Sequence, residues 1–420
     1  MHAPMPDQPE SHAALLAAIE SRTARCAVVG LGFIGTTLVE ALAQAGFPVN
    51  GVDRSAEAVA QSQQHLRDRG LEDVAARLGT DPAVLDGAPV TLIAVRAMPR
   101  PDGSFDLEPL RSAARAVTRA AGQGLVVLSS TVPPGTTRRF AGWVGAARLV
   151  AHAPERLSVG DDWRTLQRIP HLVAGTTPAA CQLAAALFAP LCERVEPVSA
   201  PEVSELSKLL ENAFLSVGIG LVGDVTAAAH GLGVSAHEVC VAAATKPTGY
   251  FPFFPGPGVG GHCLPNDLVM LAAAAAEAGA EPSVLLGTRR SLARQAALTV
   301  NRLQKLVEDS GRPLSDARVL LVGVGFKPGC ADTTASPAGP VAEALRDRGA
   351  RVAYLDEQVD DWPAPRVRAA ALSLERFEAA IVVAGDDVVS DEDLLAITPV
   401  VLRTSDRRCS GPTAKGVHRL

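Results

Sequence analysis

The sequence predicts an α/β protein in which two parallel-sheet domains are separated by a helical segment. Short apolar strands alternate with helical segments up to Pro197, the pattern then becomes helical, and a second strand-helix alternation starts at Leu314. Such alternation is typical of parallel sheets, whose crossover connections are usually helices. We expect an N-terminal helical extension, a first sheet domain, a central helical domain and a second sheet domain at 1–24, 25–197, 198–310 and 311–420.

Composition argues against several classes of function. The 420 residues allow two or three domains that each bury a core, and the net charge of -6 is scattered over both signs. That balance argues against a dedicated nucleic-acid surface. No apolar run reaches transmembrane length, because Glu277 interrupts the alanine stretch 271–276, and no signal-peptide pattern is present. We expect a cytoplasmic protein with neither a membrane nor a nucleic acid as partner.

The seven cysteines are widely spaced along the chain. None belongs to a CxxC pair or to a His/Cys cluster with the spacing of zinc ligands. We expect reduced thiols, with no disulfide framework and no metal site.

The first strand-to-helix junction has the pattern of a dinucleotide site. A short apolar strand from Cys26 runs into Gly30-x-Gly32-x-x-Gly35 and a helical segment, and the second strand ends at Asp53. Gly32 lets the backbone approach a pyrophosphate at the helix N-terminus, and Asp53 suits the ribose hydroxyls of NAD. A structural glycine turn is the alternative. The predicted cofactor-binding residues of this Rossmann-like domain are Gly30, Gly32, Phe33, Ile34, Gly35, Asp53, Arg54 and Thr131.

Two polar residues follow later strands, at the edge where parallel sheets bind ligands. Thr131 ends the predicted strand 124–131 and either contacts the cofactor or a reacting water, or caps the next helix. Glu155 follows the strand that starts at Leu149 and is either a paired surface acid or a functional one. Arg54 leaves NADP open as the cofactor, unless its side chain is simply solvated.

A long amphipathic helix is predicted from Glu202 to Ala229. Its apolar stripe consists of Leu206, Leu209, Leu210 and Phe214. Lys208 and Asn212 are four residues apart and share another face, which gives one wall of a pocket an amine and an amide. A solvated lysine is the alternative.

The stretch 255–267 combines a glycine-rich turn with one thiol. Gly256, Gly258, Gly260 and Gly261 let the backbone close tightly on a ligand, and Cys263 follows shortly after them. The pattern indicates a loop that holds a carbon atom against sulfur, with an inert buried cysteine as the alternative.

The second α/β half has strands at 318–328, 351–355 and 379–383. It carries Gly323 and Gly325 but no third helix-entry glycine, so we expect it to bind a different ligand from the first half. The polar tail from Arg403 is interpreted as a frayed end.

Together these segments resemble the UDP-glucose/GDP-mannose dehydrogenase family over nearly the whole chain. The motifs that carry the resemblance occur in the family's order, at 29–35, 130–135, 154–156, 205–212 and 258–263, with Asp267 after them. Two short segments, 18–24 and 245–253, look most like the UDP-N-acetylglucosamine 6-dehydrogenase branch.

The resemblance implies oxidation of the C6 alcohol of a nucleotide sugar to a carboxylate with two NAD in succession, in polysaccharide or natural-product biosynthesis. It makes Cys263 the nucleophile that forms a thiohemiacetal and then a thioester, with Lys208 close enough to favour the thiolate. Lys208 and Asn212 would stabilise the oxyanion, and Asp267 would act as or support a base. Glu155 and Thr131 would position the hydrolytic water.

The same resemblance implies the substrate contacts and the assembly. It predicts that Gly258, Gly260 and Gly261 line the sugar pocket and that Lys327 reaches the sugar or its phosphates. Lys246 aligns with a cation that reaches the neighbouring subunit's site, which suggests a homodimer built on the central helices. The predicted substrate-binding residues are Glu155, Lys208, Asn212, Lys246, Gly258, Gly260, Gly261 and Lys327.

Several positions depart from the family pattern. A Pro-Thr-Pro turn against the cofactor is replaced by 96–99, and Thr334 stands where an arginine would meet the cofactor's phosphates. Leu215, Gly218 and Leu268 replace a usual Arg, Asn and Pro. Two alternatives therefore stay open: an enzyme that stops at the aldehyde or uses another nucleotide sugar, and a nucleotide-sugar-binding protein without catalysis.

Overall fold

The computed structural model describes residues 9–100, 103–120, 123–157, 161–384, 389–404 and 414–420. The chain divides into two compact units, Met1–Glu211 and Asn212–Leu420. Each unit contains a sheet of mainly parallel strands, and helices lie between the two sheets in the sequence. The predicted α/β fold class is confirmed.

The first unit is built on an eight-stranded sheet and a separate two-stranded hairpin. The strands are β1 (Cys26–Val29), β2 (Val49–Val52), β3 (Leu78–Gly79), β4 (Val90–Ile93), β5 (Met98–Pro99), β6 (Phe105–Asp106), β7 (Gly124–Leu128), β8 (Arg148–His152), β9 (His171–Gly175) and β10 (Val195–Pro197). The eight-stranded sheet has the order β10-β9-β8-β7-β4-β1-β2-β3, and β5 and β6 form the hairpin. Among the described strands of the large sheet, β8 and β9 pair antiparallel and the other neighbours pair parallel.

The central strands of this sheet are apolar along nearly their whole length because both faces are covered. Every residue of β1, β4 and β7 is buried, which is the pattern of a parallel sheet between helical layers. The covering helices include α1, whose Ile19 is fully buried in the core. The helices are α1 (Pro9–Glu20), α2 (Phe33–Gln44), α3 (Ala56–Asp68), α4 (Glu72–Ala75), α5 (Glu108–Arg119), α6 (Thr136–Val144), α7 (Trp163–Arg168) and α8 (Pro178–Phe188), with a 3-10 turn at Pro82–Leu85.

The predicted amphipathic helix is observed as α9 (Pro201–Leu232). Its apolar stripe is largely exposed: Leu206, Leu210 and Phe214 have 42%, 62% and 53% of their surface accessible, whereas Leu209 is fully buried. The buried face carries polar side chains instead, namely Ser204, Glu205, Lys208, Asn212 and Ser216. An exposed apolar stripe on a long helix is a typical interaction surface.

Among the described helices, α9 is the one that is long and apolar enough to cross a membrane by length and composition. The expectation that no segment reaches this threshold is therefore wrong for α9. One such helix is a weak indication, because the core helix of a soluble protein meets the same criterion.

The N-terminus of α6 is capped from a distant part of the chain. Its N-cap residue, Gly135, has φ of +83° and no side chain to cap with. The carboxylate of Glu205 takes that role and accepts hydrogen bonds from the Gly135 N–H at 2.6 Å and from the Thr137 N–H at 2.8 Å and Oγ1–H at 2.6 Å. Glu205 is 1% exposed, so this contact fixes α9 against the first sheet's layer of helices. Capping by Thr131, the alternative considered above, does not occur.

The second unit continues with α10 (Ala236–Ala244), α11 (Cys263–Glu277) and α12 (Ser283–Asp309) and then a five-stranded parallel sheet in the order β12-β11-β13-β14-β15. The last strand, β15, pairs with β14 near the end of the chain. The interpretation of the whole tail as frayed is therefore wrong for 414–420, and 405–413 lie outside the described residues. The strands and remaining helices are β11 (Arg318–Val322), α13 (Ala338–Arg346), β12 (Arg351–Leu355), a 3-10 turn (Ala369–Leu374), β13 (Ala379–Val382), α14 (Asp391–Leu395), β14 (Val401–Arg403) and β15 (Val417–Arg419).

The Glu205 cap predicts a large effect of a small substitution. Glu205→Gln places an amide N–H₂ where a carboxylate oxygen now accepts, and the buried donor facing it loses its partner. We expect a loss of about 1–3 kcal/mol in the free energy of unfolding, measured by urea denaturation. Glu202→Gln, which removes only the exposed ion pair of Glu202 with Arg138, is the control and should cost under about 1 kcal/mol. Equal effects of the two substitutions would contradict this account of the cap.

Candidate active site

The first glycine loop is shaped by close backbone contacts. A Cβ at Gly35 would lie 1.7 Å from the Gly30 carbonyl oxygen, and one at Gly30 would lie 2.6 Å from the carbonyl oxygen of Ala94. Gly30 also has φ of +94°, which favours glycine. These two glycines are required for the turn from β1 into α2, independently of any ligand.

Gly32 differs, because a Cβ there would meet nothing within 4 Å. It is the N-cap of α2, no side chain caps that end, and the first turn contains no acid. Phe33 and Ile34 are the first residues of the helix and are half-buried. An open, uncapped helix N-terminus beside a glycine fits a pyrophosphate, whose oxygens accept from the backbone N–H groups.

Asp53 lies directly after β2 and is half-buried. Its carboxylate accepts hydrogen bonds from the Leu31 N–H at 2.8 Å and the Ser55 N–H at 2.9 Å. Each oxygen keeps a further lone pair, which suits a ribose hydroxyl donor. The neighbouring Arg54 is exposed. When bound at this edge of the sheet, NAD supplies a hydride acceptor.

Glu155 is buried just beyond the end of β8. Burial raises the pKa of its carboxyl to about 7, while the charge of Lys208 and the backbone N–H of Arg156 lower that pKa. Lys208, on the buried polar face of α9, is 8% exposed. A carboxyl that titrates near neutrality is suited to general acid-base chemistry. Thr131 is half-buried in the turn between β7 and α6.

A second buried contact positions the same stretch of α9. His152 Nδ1 lies 2.9 Å from Ser204 Oγ, and His152 Nε2 lies 3.3 Å from the Ser130 carbonyl oxygen. A carbonyl can only accept, so Nε2 carries the proton and Nδ1 accepts from the hydroxyl. Burial lowers the pKa of His152 to about 4, which keeps the ring neutral. Sequence reasoning missed His152, Ser204 and Glu205, although their polar side chains share a helix or strand with the predicted residues.

In the second unit, Cys263 is the exposed first residue of α11. The preceding Gly261 has φ of +78°, and the turn places the thiol at a helix N-terminus, where the dipole favours a thiolate. Asp267 follows one helical turn later and is 3% exposed. The Asn212 Nδ2–H donates to Asp267 Oδ2 at 2.5 Å, so the predicted residues Asn212 and Asp267 are in direct contact.

The other loop glycines are packed against the turn that follows β11. A Cβ at Gly260 would lie 2.9 Å from both Phe326 and Pro337, and a Cβ at Gly261 would lie 3.1 Å from the Phe326 ring. The Gly261 N–H also donates to the Thr334 carbonyl oxygen at 3.3 Å. Packing within the second unit thus accounts for these two glycines, and Gly258 has only an ordinary contact, 3.7 Å to Pro337.

The two remaining predicted cations occupy different surroundings. Lys327 follows Phe326 in the turn after β11 and is half-buried. Lys246 follows α10 and is exposed, with its ammonium 3.9 Å from the position of a Cβ on Gly249. Lys327 therefore lies on the segment that contacts the stretch 255–267, here called the thiol loop, and Lys246 is exposed at the surface.

Asp356 repeats in the second sheet the contacts that Asp53 makes in the first. It follows β12, and its Oδ2 accepts from the Val324 N–H at 2.8 Å while Oδ1 accepts from the Gln358 N–H at 2.9 Å. Asp356 is 7% exposed, so its role is to hold the glycine turn. Sequence reasoning missed this residue, although an acid directly after a strand was the signal used for Asp53.

The contrast between two glycines gives a test of the cofactor site. Gly32→Ala should leave folding unchanged, because its Cβ meets no atom, but should weaken NAD binding at least about tenfold by obstructing the pyrophosphate. Isothermal titration with NAD and a thermal melt measure the two effects. Gly35→Ala is the control that should lower the melting temperature, because its Cβ clashes with the Gly30 carbonyl. Unchanged NAD affinity in Gly32→Ala would exclude this site.

Glu155 should make stability depend on pH in a defined direction. Its folded pKa of about 7 lies above the ordinary value of 4.5, so the folded state holds the proton more tightly than the unfolded state. The contribution of Glu155 to the free energy of unfolding is fully present below about pH 4.5 and is lost as the pH rises through 7. Relative to Glu155→Gln, which does not titrate, we expect wild type to lose about 2–3 kcal/mol between about pH 5 and 8 in urea unfolding. A constant difference across that range would show that Glu155 titrates normally.

Comparisons with known proteins agree with this arrangement of glycine loops and acids. Residues 24–192, 202–291 and 320–405 match the NAD binding domain, the central domain and the UDP binding domain of the UDP-glucose/GDP-mannose dehydrogenase family. The predicted cofactor, NAD, is thereby confirmed, and the third match supports a nucleotide-sugar ligand.

Individual relatives extend the match over most of the chain. The UDP-N-acetyl-D-mannosamine dehydrogenase of Pyrococcus horikoshii is 31% identical over 86% of this chain and 89% of its own length. The UDP-N-acetyl-D-glucosamine 6-dehydrogenase of Pseudomonas aeruginosa is 27% identical over 80% and 83%. A solved structure of the Pyrococcus horikoshii UDP-D-ManNAc dehydrogenase superposes with a TM-score of 0.82 at 26% identity, over 94% of this chain and 98% of that one. The chain therefore belongs to the UDP-glucose/GDP-mannose dehydrogenase family of oxidoreductases.

Proposed function

We propose that this protein oxidises the C6 alcohol of a UDP-sugar to the uronate in two NAD-dependent steps, through a thioester on Cys263. The observation that carries the proposal is the thiol loop, in which an exposed cysteine begins a helix one turn before a buried Asp267 that is bonded to Asn212. A helix N-terminus favours the thiolate that the reaction needs. A simple alcohol dehydrogenase would not require a nucleophile.

The first oxidation removes the hydroxyl proton and a hydride from C6, and Asp267 acts as or supports the base. The Cys263 thiolate then adds to the aldehyde carbon, and Asn212 and Lys208 stabilise the resulting oxyanion. Loss of a second hydride from this thiohemiacetal gives the thioester. Water attacks the thioester, and the thiolate leaves as the carboxylate forms. One alcohol and one water thus yield one carboxylate, two hydrides and three protons.

Glu155 is proposed as the base for thioester hydrolysis, with Thr131 positioning the water. Its pKa of about 7 gives a substantial fraction of carboxylate at neutral pH and still allows it to accept a proton. The charge of Lys208 lowers the pKa of that carboxyl, and we propose that the same ammonium also stabilises the oxyanion.

The sugar is proposed to be UDP-N-acetylglucosamine or a close analogue. The segment 245–253 supports this choice, and a relative named for that substrate is among the similar proteins. A relative named for the N-acetylmannosamine epimer is also similar, and Thr334 and 96–99 mark departures at the cofactor. Oxidation that stops at the aldehyde, use of another nucleotide sugar, and binding without catalysis are the outcomes that compete with the proposal.

We further propose a cytoplasmic homodimer that uses the exposed stripe of α9. Leu206, Leu210 and Phe214 project from one long helix, and burying them against a second copy would remove a large apolar surface from water. Lys246, which is exposed, is proposed to reach the partner's substrate. The domain boundaries 1–24, 25–197, 198–310 and 311–420 remain part of this proposal.

Counting reduced cofactor tests the proposal directly. With UDP-N-acetylglucosamine limiting and NAD in excess, we expect two NADH per sugar by absorbance and a uronate product by mass spectrometry. Cys263→Ala should lower turnover by at least about a hundredfold while NAD affinity is retained, because the nucleophile is lost and the glycine loop of the first unit is untouched.

The other outcomes separate the competing functions. One NADH per sugar would indicate an enzyme that stops at the aldehyde. Turnover of UDP-N-acetylmannosamine or UDP-glucose alone would change the substrate, and binding of NAD without turnover of any of the three would contradict the proposal. Full activity of Cys263→Ala would exclude the thioester route.

A further inference from the structure

Two buried polar atoms of the first unit face each other without a hydrogen-bond partner. Glu155 Oε1 and His171 Nε2 are both enclosed, each lacks a partner within bonding distance, and they are 3.6 Å apart. Buried polar atoms are nearly always hydrogen-bonded, and an unpartnered pair this close calls for an explanation. A movement of a few tenths of an ångström would bring the two atoms into contact.

The sheet topology places these residues opposite one another. Strands β8 and β9 pair antiparallel, with Ala151 opposite Gly175 and His152 opposite Ala174. Continuing that register by three residues puts Glu155 opposite His171, the first residue of β9. The observed separation of 3.6 Å agrees with this extrapolated register.

The state of the His171 ring follows from its surroundings. Burial lowers its pKa to about 3, and the charge of Arg156 and the nearby His152 lower it further, while a hydrogen bond to the Ala153 backbone acts in the opposite direction. Only a ring N–H can bond a carbonyl oxygen, and Nε2 has no partner, so we assign the proton to Nδ1. Nε2 is then an unprotonated acceptor, and stacking on Phe188 at 4.1 Å fixes the ring plane.

Because His171 Nε2 carries no proton, a hydrogen bond between it and Glu155 Oε1 requires the proton to be on Glu155. If Glu155 were ionised, two lone pairs would face each other in a buried site, whereas a protonated carboxyl donates its O–H to the nitrogen. The other groups around Glu155 are Lys208 on α9, Arg156 next to it in sequence and the Cys192 thiol after α8. Lys208 and Arg156 favour the ionised form, and the contact with His171 favours the protonated one.

We propose that His171 is a positioning residue that holds the carboxyl proton of Glu155 on Oε1 by accepting it at Nε2. The inference rests on the proposed function of Glu155. When Glu155 takes a proton from the attacking water, an O–H bond of water breaks, the water oxygen bonds to the thioester carbon, and the Glu155 O–H bond forms. The C–S bond then breaks to release the Cys263 thiolate. With the new proton on Oε1, His171 Nε2 accepts its hydrogen bond.

An infrared experiment tests the contact without any need for turnover. The difference between the spectra of wild type and Glu155→Gln at about pH 6, below the folded pKa, isolates the C=O stretch of protonated Glu155. His171→Phe keeps the aromatic stack but removes the acceptor, so the stretch should move to higher wavenumber. His171→Gln is the matched control, because its amide oxygen can still accept, and should keep the stretch near the wild-type position. An unchanged band in His171→Phe would overturn the proposal.

Steady-state kinetics of the same variants test whether the contact of His171 with Glu155 affects the reaction. We expect His171→Phe to lower kcat about tenfold and to shift its pH profile, with KM for the UDP-sugar unchanged, while His171→Gln recovers most of the rate. A purely structural role would lower activity equally at every pH. Turnover with an unmoved infrared band refutes the role of His171 alone, whereas a moved band without turnover refutes the proposed function alone. If His171→Phe does not fold, His171→Met is the second variant without an acceptor.

Discussion

The buried carboxylate of Glu205 fixes the rotation of α9, and the first unit's candidate residues depend on it. Its three hydrogen bonds at the start of α6 leave α9 one orientation against the sheet. In that orientation Ser204 reaches His152, and Lys208 comes within electrostatic range of Glu155. The same rotation turns Leu206 outward. A single buried acid thereby sets both the polar face that faces the sheet and the apolar stripe that stays exposed.

Both sheets use an acid at a strand end to hold a glycine turn. The carboxylates of Asp53 and Asp356 both accept N–H groups from the turn after the first strand and from their own segment. Asp53 accepts one of each kind and Asp356 accepts two of each. The two turns differ in how far along the chain the next helix begins. Helix α2 starts at Phe33, directly after the first turn, whereas α13 starts only at Ala338. An uncapped helix N-terminus is thus present directly after the first turn, and the second turn instead provides the segment that packs on the thiol loop.

Much of this architecture could be predicted because it depends on local patterns of residues. Strands such as 351–355 are largely apolar runs, and the helix expected at 202–229 is observed at Pro201–Leu232. The exposure of Leu210 could not be predicted, since an apolar stripe has the same pattern whether a core or a second chain covers it. Gly218 replaces a polar residue of the family pattern, yet a Cβ there would lie 2.1 Å from the Phe253 ring, so the position is needed for packing.

The approach of Glu155 to His171 is a part of the candidate site that could not be predicted from the sequence. Alternating strands and helices predict parallel neighbours, and in a parallel pair the first residue of β9 would lie at the opposite edge from the end of β8. Because β9 runs antiparallel, its first residue meets the residues that follow β8. One reversed strand therefore brings an imidazole to the carboxyl that titrates near neutrality. No local pattern of residues in the sequence reports this reversal.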